Sequence, residues 1–108
     1  LWELDYVKDS IERYSKYKYK HIVISDLSLL ELSYLISLSK LHIGTSSSPM
    51  HMAVSFDVPT FTVYSPYSDP KVWGPPLDIH RGVQGELDKL DALNIYNEIS
   101  SFISFLNI

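Results

Sequence analysis

The sequence predicts an α/β fold, a single parallel sheet with helices on both of its faces. Two observations carry that prediction. Short apolar runs rich in β-branched residues lie at 21–25 ("HIVIS"), 41–44 ("LHIG") and 59–64 ("PTFTVY"), and runs of this kind are strands buried on both sides. Between them lie stretches of helical periodicity long enough to carry one parallel strand to the next.

The elements follow in order. Leu4, Val7, Ile11 and Tyr14 recur at helical spacing and predict an amphipathic helix over 2–15. The run at 21–25 is read as the first strand. Ser28 with Glu31 three residues on forms a capping box, and Leu29, Leu32, Leu35, Ile36 and Leu38 then line one side of a helix to about 39. The strand at 41–44 ends in glycine. Residues 44–53, "GTSSSPMHMA", open a third helix with Met50, Ala53 and Val54 facing inward. The strand at 59–64 gives way to a turn-rich loop, "SPYSDPKVWGPP", which holds four of the six prolines. A further strand is expected at 80–84. Ile95, Ile99, Phe102, Ile103 and Leu106 form the apolar stripe of a closing helix.

Size and charge bound the function. A chain of 108 residues is one small domain with one core. Its balance of 45% hydrophobic and 20% charged residues is that of a folded globular domain. A net charge of −4 excludes a broad basic face for nucleic acid, so an anionic ligand has to be held by local groups. Without cysteine there is neither a disulfide framework nor a thiolate zinc site, which fits the cytoplasm. No apolar run reaches the ~20 residues a membrane span needs. The start at Leu1 suggests a fragment. The stretch "YSKYKYK" at 14–20 interleaves aromatics with lysines, and reads as a solvated linker more readily than as a single-strand-binding surface.

In a parallel α/β sheet, ligands bind at the carboxyl ends of the strands, where loops lead into helices. The stretch "GTSSSPMHMA" stands there. With Ser48 as N-cap and Pro49 as the first helical residue, the amides of Met50 and His51 are expected to be free. Free amides and the positive end of the helix dipole suit a phosphate, and the hydroxyls of Ser46, Ser47 and Ser48 add small donors. His51 can donate to the same anion. The competing reading is a Ser-Pro helix start that binds nothing. Other chemistries lack their parts: no G-x-S-x-G elbow is present for a serine hydrolase. Met50, His51 and Met52 point about 100° apart on a helix and cannot converge on one metal ion. His21, His42 and His80 read as strand-edge or core residues with a satisfied ring nitrogen.

Residues 27–75, "LSLLELSYLISLSKLHIGTSSSPMHMAVSFDVPTFTVYSPYSDPKVWGP", resemble the C-terminal half of the heptosyltransferase family, glycosyltransferase family 9. The resemblance rests on a leucine-rich helix, a strand, and a stretch close to G-x-D-[ST]-[GA]-P-M-H-x-A. A Pro-Thr strand, a turn like Ser65-Pro66 and the W-G-P at Trp73, Gly74 and Pro75 follow. It implies the Rossmann-like second domain of a two-domain B-type glycosyltransferase, the domain that binds the nucleotide-sugar donor. The family commonly transfers heptose from ADP-heptose in lipopolysaccharide core synthesis. Carried over, Ser46, Ser47, Ser48, Met50 and His51 are the donor and phosphate positions, and Ser65, Trp73 and Gly74 shape the pocket rim. Neither a cofactor nor a metal is implied.

This sequence departs from the family's pattern at two positions. The acidic residue before the Ser/Thr is Ser46 here, which leaves the donor sugar open, and the small Gly/Ala position is Ser48. The N-terminal domain that supplies the acceptor site and a carboxylate base has no counterpart in these residues, so the chain alone is expected to be inactive. Three alternatives remain: a non-catalytic nucleotide- or phosphate-binding module, a degenerate structural domain, and a nucleotide-sugar epimerase of the same fold. A truncated sheet would leave an unpaired edge, from which self-association is expected.

Overall fold

The computed structural model describes residues 2–13, 22–67, 79–86 and 88–108. In chain order the elements are α1 (Trp2–Arg13), α2 (Leu29–Ser37), β1 (His42–Thr45), α3 (Ser48–Ser55), β2 (Thr60–Tyr64), β3 (His80–Gln84) and α4 (Ala92–Leu106). The three strands form one sheet in the order β1-β2-β3, and both pairings are parallel. This is the predicted α/β class. Residues 14–20, His21 at the start of the expected 21–25 strand, Trp73, Gly74 and Pro75 lie outside the described residues.

β2 is the middle strand and is buried on both faces: Phe61 is 1% exposed, while Thr60 and Thr62 on the alternate side are fully buried. On the Phe61 face lies α4, whose Phe102 ring centroid is 6.4 Å from that of Phe61. The predicted stripe holds, since Phe102 is fully buried and Ile95, Ile99, Ile103 and Leu106 are half-buried. Arg81 of β3 lays its guanidinium 4.9 Å and 4.5 Å from the ring centroids of Phe102 and Phe105. α3 packs against β1, β2 and α2. There Ile36, Ala53 and Val58 form a core cluster, with Leu32 and Met52 packed on it. Asp57, at φ 56, takes a left-handed conformation that Asp tolerates and turns the chain from α3 toward β2.

Several expectations are corrected. Residues 22–28 have no regular structure, so no strand exists at 22–25, and Ile22 and Ile24 are 69% and 48% exposed. A β-branched run becomes a buried strand only when a neighbour pairs with it and layers cover it; among the described residues no strand pairs with the outer edge of β1. α2 ends at Ser37, two residues early, and only Ile36 of its stripe is buried. Leu29, Leu35 and Leu38 are 70%, 42% and 65% exposed. The capping box of α2 is present: Ser28 Oγ accepts from the Glu31 amide at 3.2 Å, and the Ser28 amide donates to Glu31 Oε1 at 3.0 Å. Those bonds hold the Glu31 carboxyl below its ordinary pKa.

Candidate functional site

Because the strands are parallel, β1, β2 and β3 all release their loops at one end. The register sets Thr45 beside Val63 and Val63 beside Val83, so the three ends are level. Between them lies a cleft of about 350 Å³ lined by Thr45, Ser46, Val63, Tyr64, Ser65, Pro66, Gly85 and Glu86.

Each wall is fixed by local bonding. Gly85 donates its amide to the Tyr64 carbonyl at 3.0 Å, extending the β2–β3 ladder by one bond. Its φ of +156° is one that L residues rarely adopt, and a Cβ there would lie 2.9 Å from Leu90 Cδ2. Gln84 Nε2 donates to the Ser65 carbonyl at 3.2 Å and ties the ends of β3 and β2 together. Glu86 closes the cleft and pairs with Lys89 at 2.9 Å on the surface. Burial pushes the Tyr64 phenol up from its ordinary pKa.

The first wall continues into α3. Ser47 donates its amide to the Thr45 carbonyl at 2.9 Å, a tight turn that lifts the chain off β1. Ser47, and not Ser48, is the N-cap, in an extended conformation whose side chain makes no capping bond. Three successive serines all suit a cap; the turn off Thr45 selects the middle one. The expected free amides of Met50 and His51 are therefore occupied, because both donate to the Ser47 carbonyl, at 3.0 Å and 3.4 Å. Met50 is fully buried in the core. What the helix start offers a ligand is the Ser48 amide, which as the first helical N–H has no partner within the helix, and the Ser47 hydroxyl. His51 is exposed on the first turn.

Of the sequence-predicted positions, Ser46 and Ser65 line the cleft together. Ser47, Ser48 and His51 follow Ser46 along the start of α3, and Trp73 and Gly74 fall outside the described residues. Sequence reasoning missed Thr45, Tyr64, Gly85 and Glu86. Their signal was positional, since each sits at or just past the carboxyl end of a strand. His80 is buried with Nδ1 3.0 Å from Thr60 Oγ1, as expected of a core histidine. His42 departs from that expectation: its Nδ1 is buried without a partner, and burial holds its pKa below the ordinary value. Among the described residues no helix is long and apolar enough to cross a membrane.

A parallel α/β sheet with a cleft across its carboxyl ends, flanked by a helix start, defines a Rossmann-like α/β domain with the cleft where such sheets place their ligands. The family model of glycosyltransferase family 9 (heptosyltransferase) matches residues 7–97, and the chain belongs to that family. No curated protein and no solved structure matches it.

Proposed function

We propose that this chain is the donor-binding half of a heptosyltransferase-type glycosyltransferase and that the strand-end cleft receives a nucleoside diphosphate sugar. The observation that carries this reading is the cleft itself, about 350 Å³ at the level ends of three parallel strands, with Ser46 and Ser65 in its walls. The diphosphate sits toward α3, where the Ser48 amide, the Ser46 and Ser47 hydroxyls and His51 supply donors beside the positive end of the helix. Met50 serves that site from inside, by anchoring the first turn of α3 in the core. No metal is required for holding the phosphates this way. Glu86, at the β3 end of the cleft, is an acceptor for sugar hydroxyls.

The donor in this reading is ADP-heptose-like, the acceptor a glycan or lipid-linked sugar of bacterial lipopolysaccharide core or a related polymer, and the compartment the cytoplasm. Transfer needs a base within hydrogen-bond reach of the acceptor hydroxyl. That base belongs to the acceptor-binding domain of the family, so the chain alone binds donor without turning it over.

The test is the thermal midpoint with ADP, ADP-sugars, UDP and GDP, beside a Ser47→Ala, His51→Ala double variant. Ligand at ~100 times its dissociation constant stabilises by about 2.7 kcal/mol. A rise confined to one nucleotide and diminished in the variant supports the reading. No rise with any nucleotide removes it and leaves a structural domain.

A further inference from the structure

Residues 86–91 read E-L-D-K-L-D, three carboxylates and one base. The stretch leaves β3 at the strand-end cleft, whose wall includes Glu86, in a chain that already carries a net charge of −4. A carboxylate in the wall opposes an anionic ligand unless a cation offsets it. Asp91 is engaged elsewhere, since it caps α4 by accepting from the Leu93 amide at 3.1 Å. Lys89 is turned onto Glu86, with Nζ 2.9 Å from Oε2.

The backbone fixes that pairing. The Glu86 carbonyl accepts from the Lys89 amide at 2.9 Å and from the Leu90 amide at 3.1 Å, so the chain folds back in one turn and returns Lys89 to Glu86. Leu90 in turn lies against Gly85 of the cleft wall, where a Cβ would come 2.9 Å from Leu90 Cδ2. The other lysines and arginines whose side chains are described stand elsewhere. Lys40 precedes β1 at the amino end of the sheet, Arg81 stacks on Phe102 and Phe105, and Lys8 belongs to α1. Among them, Lys89 is the one that pairs with a residue of the cleft. Both partners are exposed, and such a pair adds little to stability. Its consequence is for charge in the cleft.

We propose that Lys89 is an affinity-determining residue of the cleft: by pairing with Glu86 it neutralises the carboxylate in the wall and lets the cleft accept a nucleoside diphosphate. This rests on the donor-binding reading of the cleft. Lys89 acts through Glu86, so its loss matters only while residue 86 carries a charge.

Calorimetric titration of ADP into the whole chain at low ionic strength, where surface charges are least screened, tests this with Lys89→Ala, Glu86→Gln and the double variant. ADP brings the diphosphate without the transferred sugar, so the part of Glu86 in holding that sugar does not enter. Circular dichroism checks that each variant folds. The expected result is a wild type that binds ADP, a Lys89→Ala variant that binds it about fivefold more weakly, and a double variant equal to Glu86→Gln alone. Lys89→Ala binding as tightly as a wild type that does bind overturns the proposal. So does a double variant that shows the same loss relative to Glu86→Gln, since Lys89 would then act without Glu86. A wild type that takes up no ADP removes the donor-binding reading itself, and with it this role of Lys89.

Discussion

At position 82 a methyl group has nowhere to go. A Cβ on Gly82 would lie 2.3 Å from the Thr62 carbonyl oxygen and 2.8 Å from Tyr64 Cε2, so backbone and ring would both have to move. Gly82→Ala is expected to cost about 2 kcal/mol, a fall of roughly 10 °C in Tm. Gly44→Ala is the control: its Cβ meets only the His42 ring, at 3.0 Å, and a side chain can swing away. Equal midpoints for the two variants would contradict this view of the sheet. His42 makes a second residue-scale prediction. Burial lowers its folded-state pKa, so the unfolded chain takes up the proton first as pH falls. Stability is full above the ordinary imidazole value of about 6.5 and declines as pH drops from there through the lowered value. Urea midpoints for wild type and His42→Phe between about pH 7.5 and 5 should diverge on the acid side, the variant losing less; parallel curves would clear His42. Neither effect was legible in the sequence. A histidine in a strand-like run can find a partner or not, and only the packed structure leaves Nδ1 alone. The N-cap shows the same limit, since the serines at 46, 47 and 48 are interchangeable until β1 is seen to run to Thr45.

At the scale of elements, α4 was legible because its signal is local. Five apolar residues at helical spacing over 95–106 place one face on the sheet whatever the rest of the chain does, and Phe102, its fully buried member, packs on Phe61. Phe102→Ala is expected to cost about 3–5 kcal/mol, which is a large part of a small domain's total stability. Phe102→Leu, nearer in volume, should cost well under half of that and keep a cooperative transition. Similar unfolding curves for the two would mean that α4 does not share the core. The run at 22–25 was misread for the opposite reason. Its residues are as β-branched as those of β2, yet strand formation is settled by a neighbour distant in sequence, and no strand pairs there. α2 falls between the two cases. Its capping box fixed its start correctly, but the leucines that predicted a broad buried face are mostly exposed.

For the whole molecule, the alternation of strands and helices was enough to give a parallel sheet, and a parallel sheet was enough to put the site at its carboxyl ends. What remained hidden was which residues converge there. Ser46 and Ser65 were named from the sequence as a phosphate position and a rim position, and the level strand ends bring both into one cleft. Gly85 and Glu86 went unnoticed because they follow a strand whose neighbour in the sheet is supplied by residues twenty positions earlier. In the proposed function this cleft and the adjoining start of α3 receive a nucleoside diphosphate. The most direct measurement is the change in backbone amide resonances when ADP is titrated into the chain, with UDP and GDP as comparisons. Saturable shifts confined to Ser46, Ser47, Ser48 and His51 on one wall and Ser65, Gly85 and Glu86 on the other are expected. Shifts located elsewhere, or none with any of the three nucleotides, would contradict it.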